Sequence, residues 1–251
     1  MPKVIGYDPV DLGYGGMINY SSSDNNKVLD DVKDGDYPSI NTDANWSNVI
    51  SLMKFEDNYT DDKGLLTWTG TGTSFNASGK FGKAVEFNAT SDRLDSNTSS
   101  LWTWGTNDYT IEMWVYWNST GAGSYRNLFF TKAGGTEYLQ YYIDSGNNFY
   151  VYNVTGGPLH NFGVAATIFP YQTWFHLALT RESNALKCFV NGTQKGTAGA
   201  ITANVDATEG VVGRHISLAR GWPGSVDSLR VTKNVARYTG NFTAPTADFI
   251  P

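Results

Sequence analysis

The stretch Trp174-Phe175-His176-Leu177-Ala178-Leu179-Thr180-Arg181 constrains the fold more than any other part of the chain. Read with a period of two, Phe175, Leu177 and Leu179 fall on one face and Trp174, His176, Ala178 and Thr180 on the other. That pattern predicts an antiparallel strand, buried on one side and partly covered on the other. The polar segment Glu182-Ser183-Asn184-Ala185 is short enough for a hairpin connection into Leu186-Lys187-Cys188-Phe189-Val190. Asn191-Gly192 then supplies the positive backbone angles of a second tight turn. Two central strands of a large sheet are expected to meet here. No reaction chemistry accompanies them, so function is to be sought in binding.

Much of the chain repeats this grammar. Strands are predicted over 49–55, 84–87, 92–94, 109–117, 127–131, 138–143, 149–154, 174–180, 186–190 and 226–231, separated by Gly- and Asp/Asn-rich turns. No segment sustains a helical period. An all-β, two-sheet antiparallel sandwich of the jelly-roll kind follows. With 40% hydrophobic residues, including 8 Trp, 15 Tyr and 13 Phe, there is ample material for its core. A net charge of −6 argues against a nucleic-acid partner, and no apolar run approaches membrane-spanning length. Cys188 is the one cysteine, and its place in a strand predicts a buried, inert thiol. The N-terminal residues lack the apolar segment and cleavage site of a signal peptide, which predicts synthesis in a cytoplasm without export by that route.

Residues 1–46 differ from the β domain of residues 47–251 and its C-terminal tail. They combine Gly-rich, Ser/Asn-rich and acidic stretches, and their anchors Val4, Ile5, Tyr7, Tyr14, Ile18 and Tyr20 are spaced singly. Such a segment cannot offset its ordering entropy alone. An extended arm is expected, attaching the β domain to a larger assembly by a mode such as strand addition.

Several motifs resemble the laminin-G-like branch of the concanavalin A-like lectin and glucanase superfamily. They are Phe81-Gly82-Lys83-Ala84-Val85-Glu86-Phe87, Ser91-Asp92-Arg93-Leu94, Tyr109-Thr110-Ile111-Glu112-Met113-Trp114-Val115, the strand 174–181 and Val190-Asn191-Gly192. Gly224-Ser225-Val226-Asp227-Ser228-Leu229-Arg230-Val231-Thr232 closes the series. The resemblance runs from about residue 52 onward and implies two curved antiparallel sheets. Residues 230–245 are similar to the ends of such modules in bacteriophage structural proteins. That implies a virion surface protein, a head decoration or a tail- or fibre-associated module, with other virion proteins as partners through the arm, and it allows a homo-oligomer. The alternative is an extracellular carbohydrate-binding module of a bacterial adhesin or glycan-processing protein. The resemblance also allows calcium, for which Asp57, Asn58, Asp92 and Asp227 are candidate ligands, although Ser228 stands where the family often carries a second acid.

Enzymatic activity is not expected. Glu112 has no carboxylate two residues away, so the facing pair that glycoside hydrolysis needs is missing from its strand. Arg230 and Asp227 are expected to brace loops by ion pairs and backbone hydrogen bonds. Glycan binding needs flat aromatic faces beside amides. Strands 138–143 and 149–154 can present Tyr138, Gln140 and Tyr142 beside Tyr150 and Tyr152, an arrangement that ordinary cross-strand packing also explains. Tyr125, Trp102, Trp104 and Trp222 are further candidates, in loops.

Overall fold

The computed structural model describes residues 43–118, 125–153, 157–215 and 220–251. The arm anchors Val4, Ile5, Tyr7, Tyr14, Ile18 and Tyr20 lie outside the described residues. The strands are β1 (Val49–Met53), β2 (Trp68–Thr71), β3 (Ser74–Asn76), β4 (Ala84–Phe87), β5 (Arg93–Ser96) and β6 (Thr103–Gly105). Next come β7 (Tyr109–Trp117), β8 (Arg126–Ala133), β9 (Thr136–Ile143), β10 (Asn148–Asn153), β11 (Gly157–Val164) and β12 (Phe175–Glu182). The last are β13 (Ala185–Val190), β14 (Thr193–Ala200), β15 (Val205–Asp206), β16 (Glu209–Val212) and β17 (Gly224–Lys233). Sheet one runs β14-β13-β12-β7-β17-β4-β3, with β1 also on β17; sheet two runs β11-β10-β9-β8-β16-β5-β2. The pairings are antiparallel, as the sequence pattern predicts. No helix among the described residues is long and apolar enough to cross a membrane.

Alternation builds the core between the sheets. Phe175, Leu177 and Leu179 of β12 face Leu139, Tyr141 and Phe149 within one apolar cluster. Tyr109 of sheet one and Tyr141 of sheet two meet hydroxyl to hydroxyl at 2.9 Å, so each phenol keeps a partner out of water. Cys188 is buried and free, and burial pushes its thiol pKa upward. Both turns read from the sequence are present. Ser183 and Asn184 take φ of 46° and 71°, and Asn191 and Gly192 take 50° and 77°. Gly192 is required for a second reason: a Cβ there would lie 1.9 Å from the carbonyl oxygen of Phe242.

That close approach belongs to the C-terminal tail, which corrects one expectation. The middle of the outer side of β12 is fully covered, with His176, Ala178 and Thr180 all at 0% exposure, while Trp174 and Glu182 at its two ends stay partly exposed. Residues 234–251 cross it. Thr110 donates to Val235 O (2.9 Å), Thr180 donates to Tyr238 O (3.3 Å), and the Tyr238 and Phe242 rings stack on each other beside Phe189. Phe249 closes a second cluster with Val49 and Leu52.

Beneath the tail sits Glu112, also fully buried. Arg230 Nε donates to its Oε1 at 2.9 Å, Tyr238 donates to Oε2 at 2.8 Å, and His176 Nε2 lies 3.2 Å from the same oxygen. Asp43 extends the network. Its carboxylate accepts from Arg230 Nη1 (3.1 Å) and from both terminal nitrogens of Arg237 (2.9 and 2.6 Å). Residue 43 lies within the stretch assigned to the arm, yet its side chain is built into the β domain. Burial would raise the Glu112 pKa, but Arg230, His176 and Arg237 outweigh it and hold the carboxyl at about 2.

A depressed carboxyl stabilises the fold above its ordinary pKa of 4.5, and that contribution is lost as pH falls from 4.5 toward about 2. Glu112→Gln strands buried cations, a loss of about 3–5 kcal/mol, or roughly 10 °C in Tm for a domain of this size. Thermal melts at pH 7 and pH 3 should show a large wild-type advantage at pH 7 that shrinks at pH 3. A variant melting within about 2 °C of wild type at pH 7 would contradict this.

Candidate functional site

The outer face of sheet two carries the aromatic candidates. Antiparallel register sets Tyr150 opposite Tyr142 and Tyr152 opposite Gln140. The rings of Tyr142 and Tyr150 stack at 5.9 Å with 21° between planes, and Tyr125 stacks on the other side of Tyr142 at 5.9 Å. A ladder of three rings results. Tyr142, Tyr150 and Tyr152 are half-buried, Gln140 is buried, and the Tyr150 hydroxyl accepts from Asn161 Nδ2 at 3.2 Å. Burial, together with Tyr125 and Asp144, pushes the Tyr142 pKa up to about 12, so the hydroxyl stays protonated and able to donate.

Two residues that sequence reasoning passed over complete the face. Asn127 pairs with Tyr142 across β8 and β9, and the bulge at the next residue turns Leu128 and Phe129 toward the core. Asn127 is fully buried, and neither Oδ1 nor Nδ2 has a hydrogen-bond partner among the described residues. Its backbone N–H donates to Arg220 O at 3.1 Å, and the Arg220 guanidinium lies 4.0 Å from the Tyr125 ring centre. Neither residue carried a signal in the sequence, because both depend on that register and bulge.

Other candidates lie elsewhere. Tyr138 falls at a register shift and packs against the core cluster, away from the ladder. Trp102, Trp104 and Trp222, read as loop aromatics, are core residues at 0%, 1% and 1% exposure. A cavity of about 180 Å³ lies beside Asn88, Thr90, Asn118 and Trp222, below the roughly 300–1,000 Å³ of small-molecule pockets.

The metal candidates are spent on their own loops. Asp57 pairs with Lys83, while Asn58 donates to Glu56 O (2.6 Å) and accepts from Thr60 N (2.9 Å). Asp92 Oδ2 accepts from the backbone of Asn88 and Ala89, both at 2.8 Å. Asp227 Oδ2 accepts from Phe81 N at 2.9 Å, the bracing role its position suggested. Asp61, from the same acidic loop as Asp57, takes four backbone N–H groups. Among the described residues, no group of three or more His, Cys, Asp or Glu is placed to hold a metal, so these side chains do not fit a calcium cage as arranged.

A family model described as the concanavalin A-like lectin/glucanases superfamily, Laminin_G_3, matches residues 88–237. No curated protein matches the chain in sequence. Among solved structures, domain 4 of AbnA, a GH43 extracellular arabinanase from Geobacillus stearothermophilus in complex with arabinotriose, is similar at TM-score 0.57 and 17% identity. That match covers 74% of this chain and 92% of the other. The receptor binding domain of botulinum neurotoxin D is similar at TM-score 0.58 and 13% identity, over 76% and 50% of the two chains. Trypanosoma rangeli sialidase is similar at TM-score 0.56 and 10% identity, over 76% and 31%. The chain thus spans half or less of the toxin and sialidase chains, and at these identities the likeness concerns the fold.

Asp227 yields a test of the bracing role. Burial is the largest cause raising its pKa, to about 7; nearby Asp248 adds to it, and the Phe81 N–H opposes it. A raised carboxyl contributes stability below its ordinary value of 3.8, and that contribution is lost as pH rises through about 7. Asp227→Asn keeps an acceptor for Phe81 and removes the charge, so its Tm relative to wild type should climb between pH 4 and pH 8. A difference that stays flat in melts across that range would show that Asp227 titrates normally.

Proposed function

The chain belongs to the concanavalin A-like lectin/glucanase superfamily, and we propose that it is a carbohydrate-binding β-sandwich that holds sugars on the tyrosine-bearing outer face of sheet two. The observation that carries this reading is the register-locked ladder of Tyr125, Tyr142 and Tyr150, with Gln140 and Tyr152 in the next row. Pyranose and furanose rings lay their C–H faces on such rings, while the amide and phenol groups meet their hydroxyls. The likeness to an arabinanase domain crystallised with arabinotriose supports the same class of ligand. The proposed activity is recognition without catalysis, since Glu112 is committed to Arg230, His176 and Tyr238 under the tail.

For the biological setting, the sequence of residues 230–245 favours display on a bacteriophage particle, with residues 1–46 as the attachment. The arabinanase likeness favours the alternative, an extracellular module of a bacterial adhesin or glycan-processing protein. Stoichiometric presence of the protein in purified particles separates the two.

A glycan array followed by titration calorimetry tests the binding face. Saturable binding to at least one glycan is expected, weakened about three- to tenfold by Tyr142→Ala and by Tyr152→Ala, with cooperative melting retained. Binding left intact in both variants would place the sugar elsewhere, and no binding across the array would remove the reading.

A further inference from the structure

We propose that the sugar recognised on this face carries a carboxylate, with Arg220 as its ionic partner; this rests on the reading of the face as a glycan site. The chain holds 24 acidic against 18 basic residues, so arginines have acceptors in excess. Most described arginines use them. Arg93 pairs with Asp95, Arg230 and Arg237 share Asp43, Arg126 bonds Asn147, and Arg181 is pinned by three carbonyls and Asn184. Arg220 differs: among the described residues its guanidinium meets the Tyr125 ring and no hydrogen-bond acceptor. An aromatic ring against a guanidinium restrains its plane and leaves the N–H edge for two parallel bonds to a carboxylate.

Other charges nearby are balanced. Lys132 pairs with Glu209, and Asp144 accepts Asn148 N at 2.8 Å while facing Arg126. Arg220 is therefore the charge this face has to offer. Uronic acids and sialic acids both present a carboxylate that such a guanidinium edge can take.

Titrations with trigalacturonate, its methyl ester, 3′-sialyllactose and lactose test the proposal and separate the two sources. At least one acidic sugar should bind at least about tenfold more tightly than its neutral counterpart, the scale of a charge-assisted hydrogen bond, and the gap should narrow as salt rises. Arg220→Gln should lower the affinity for the acidic sugar to that for its neutral counterpart, closing the gap. Equal affinity for acidic and neutral forms, or an acid preference that survives Arg220→Gln, overturns the inference while glycan binding itself stands. Failure of every glycan to bind overturns both readings.

Discussion

The carboxylate of Glu112, fully buried in the middle of β7, is the constraint on which sheet one depends. Its hydration has to be replaced, and the replacements come from β12 through His176, from β17 through Arg230, and from the tail through Tyr238. Arg230 and Arg237 bring in turn their own need for a second anion, which Asp43 fills. A buried ionic network adds little net stability over apolar packing, but each member is costly to remove alone. Its effect is therefore positional. Residues far apart in the chain must take one arrangement, and the tail is held along one path across β7, β12 and β13.

The two outer faces of the sandwich consequently have different characters. On sheet one, the tail converts what would be a polar surface into a second buried layer, in which Phe189, Phe242 and Tyr238 pack edge to face or stacked. On sheet two, Tyr142, Tyr150 and Tyr152 remain half-exposed, and polar capacity is left over at Asn127 and Arg220. The difference makes sheet two the face on which ligand chemistry can be sought.

What could be read from the sequence was what alternation and turn residues encode locally. The strand 109–117 is observed at those bounds, and Asn191-Gly192 turns as its residue types require. β14 was not legible, because Thr193–Ala200 has no apolar alternation; its main chain is ordered by pairing with β13. β11 was hidden behind Gly157 and Pro158, which read as a turn. The burial of His176 and Thr180 depends on a tail some sixty residues later in the chain, a contact no local pattern announces. On the candidate face, Tyr142, Tyr150 and Tyr152 were legible by period, whereas Tyr138 was misplaced because an unmarked register shift moves it toward the core.

Tyr141 and Tyr142 show why residue type alone cannot assign a role on such a sheet. They are neighbours in β9, and the pleat sends one to each side. Tyr141 is fully buried, hydrogen-bonded to Tyr109, and its pKa is driven well above the ordinary value by burial, so it is part of the core. Tyr142 stacks between Tyr125 and Tyr150 on the outer face, a geometry that cross-strand packing alone would explain. The ladder by itself is thus neutral between architecture and recognition. Cross-strand packing accounts for the rings, not for the Arg220 guanidinium laid 4.0 Å from the Tyr125 ring centre, which meets no hydrogen-bond acceptor among the described residues. On the proposed reading of this face, that guanidinium edge beside the ladder is what a bound carboxylate would engage, and the packing of the rings makes no use of it.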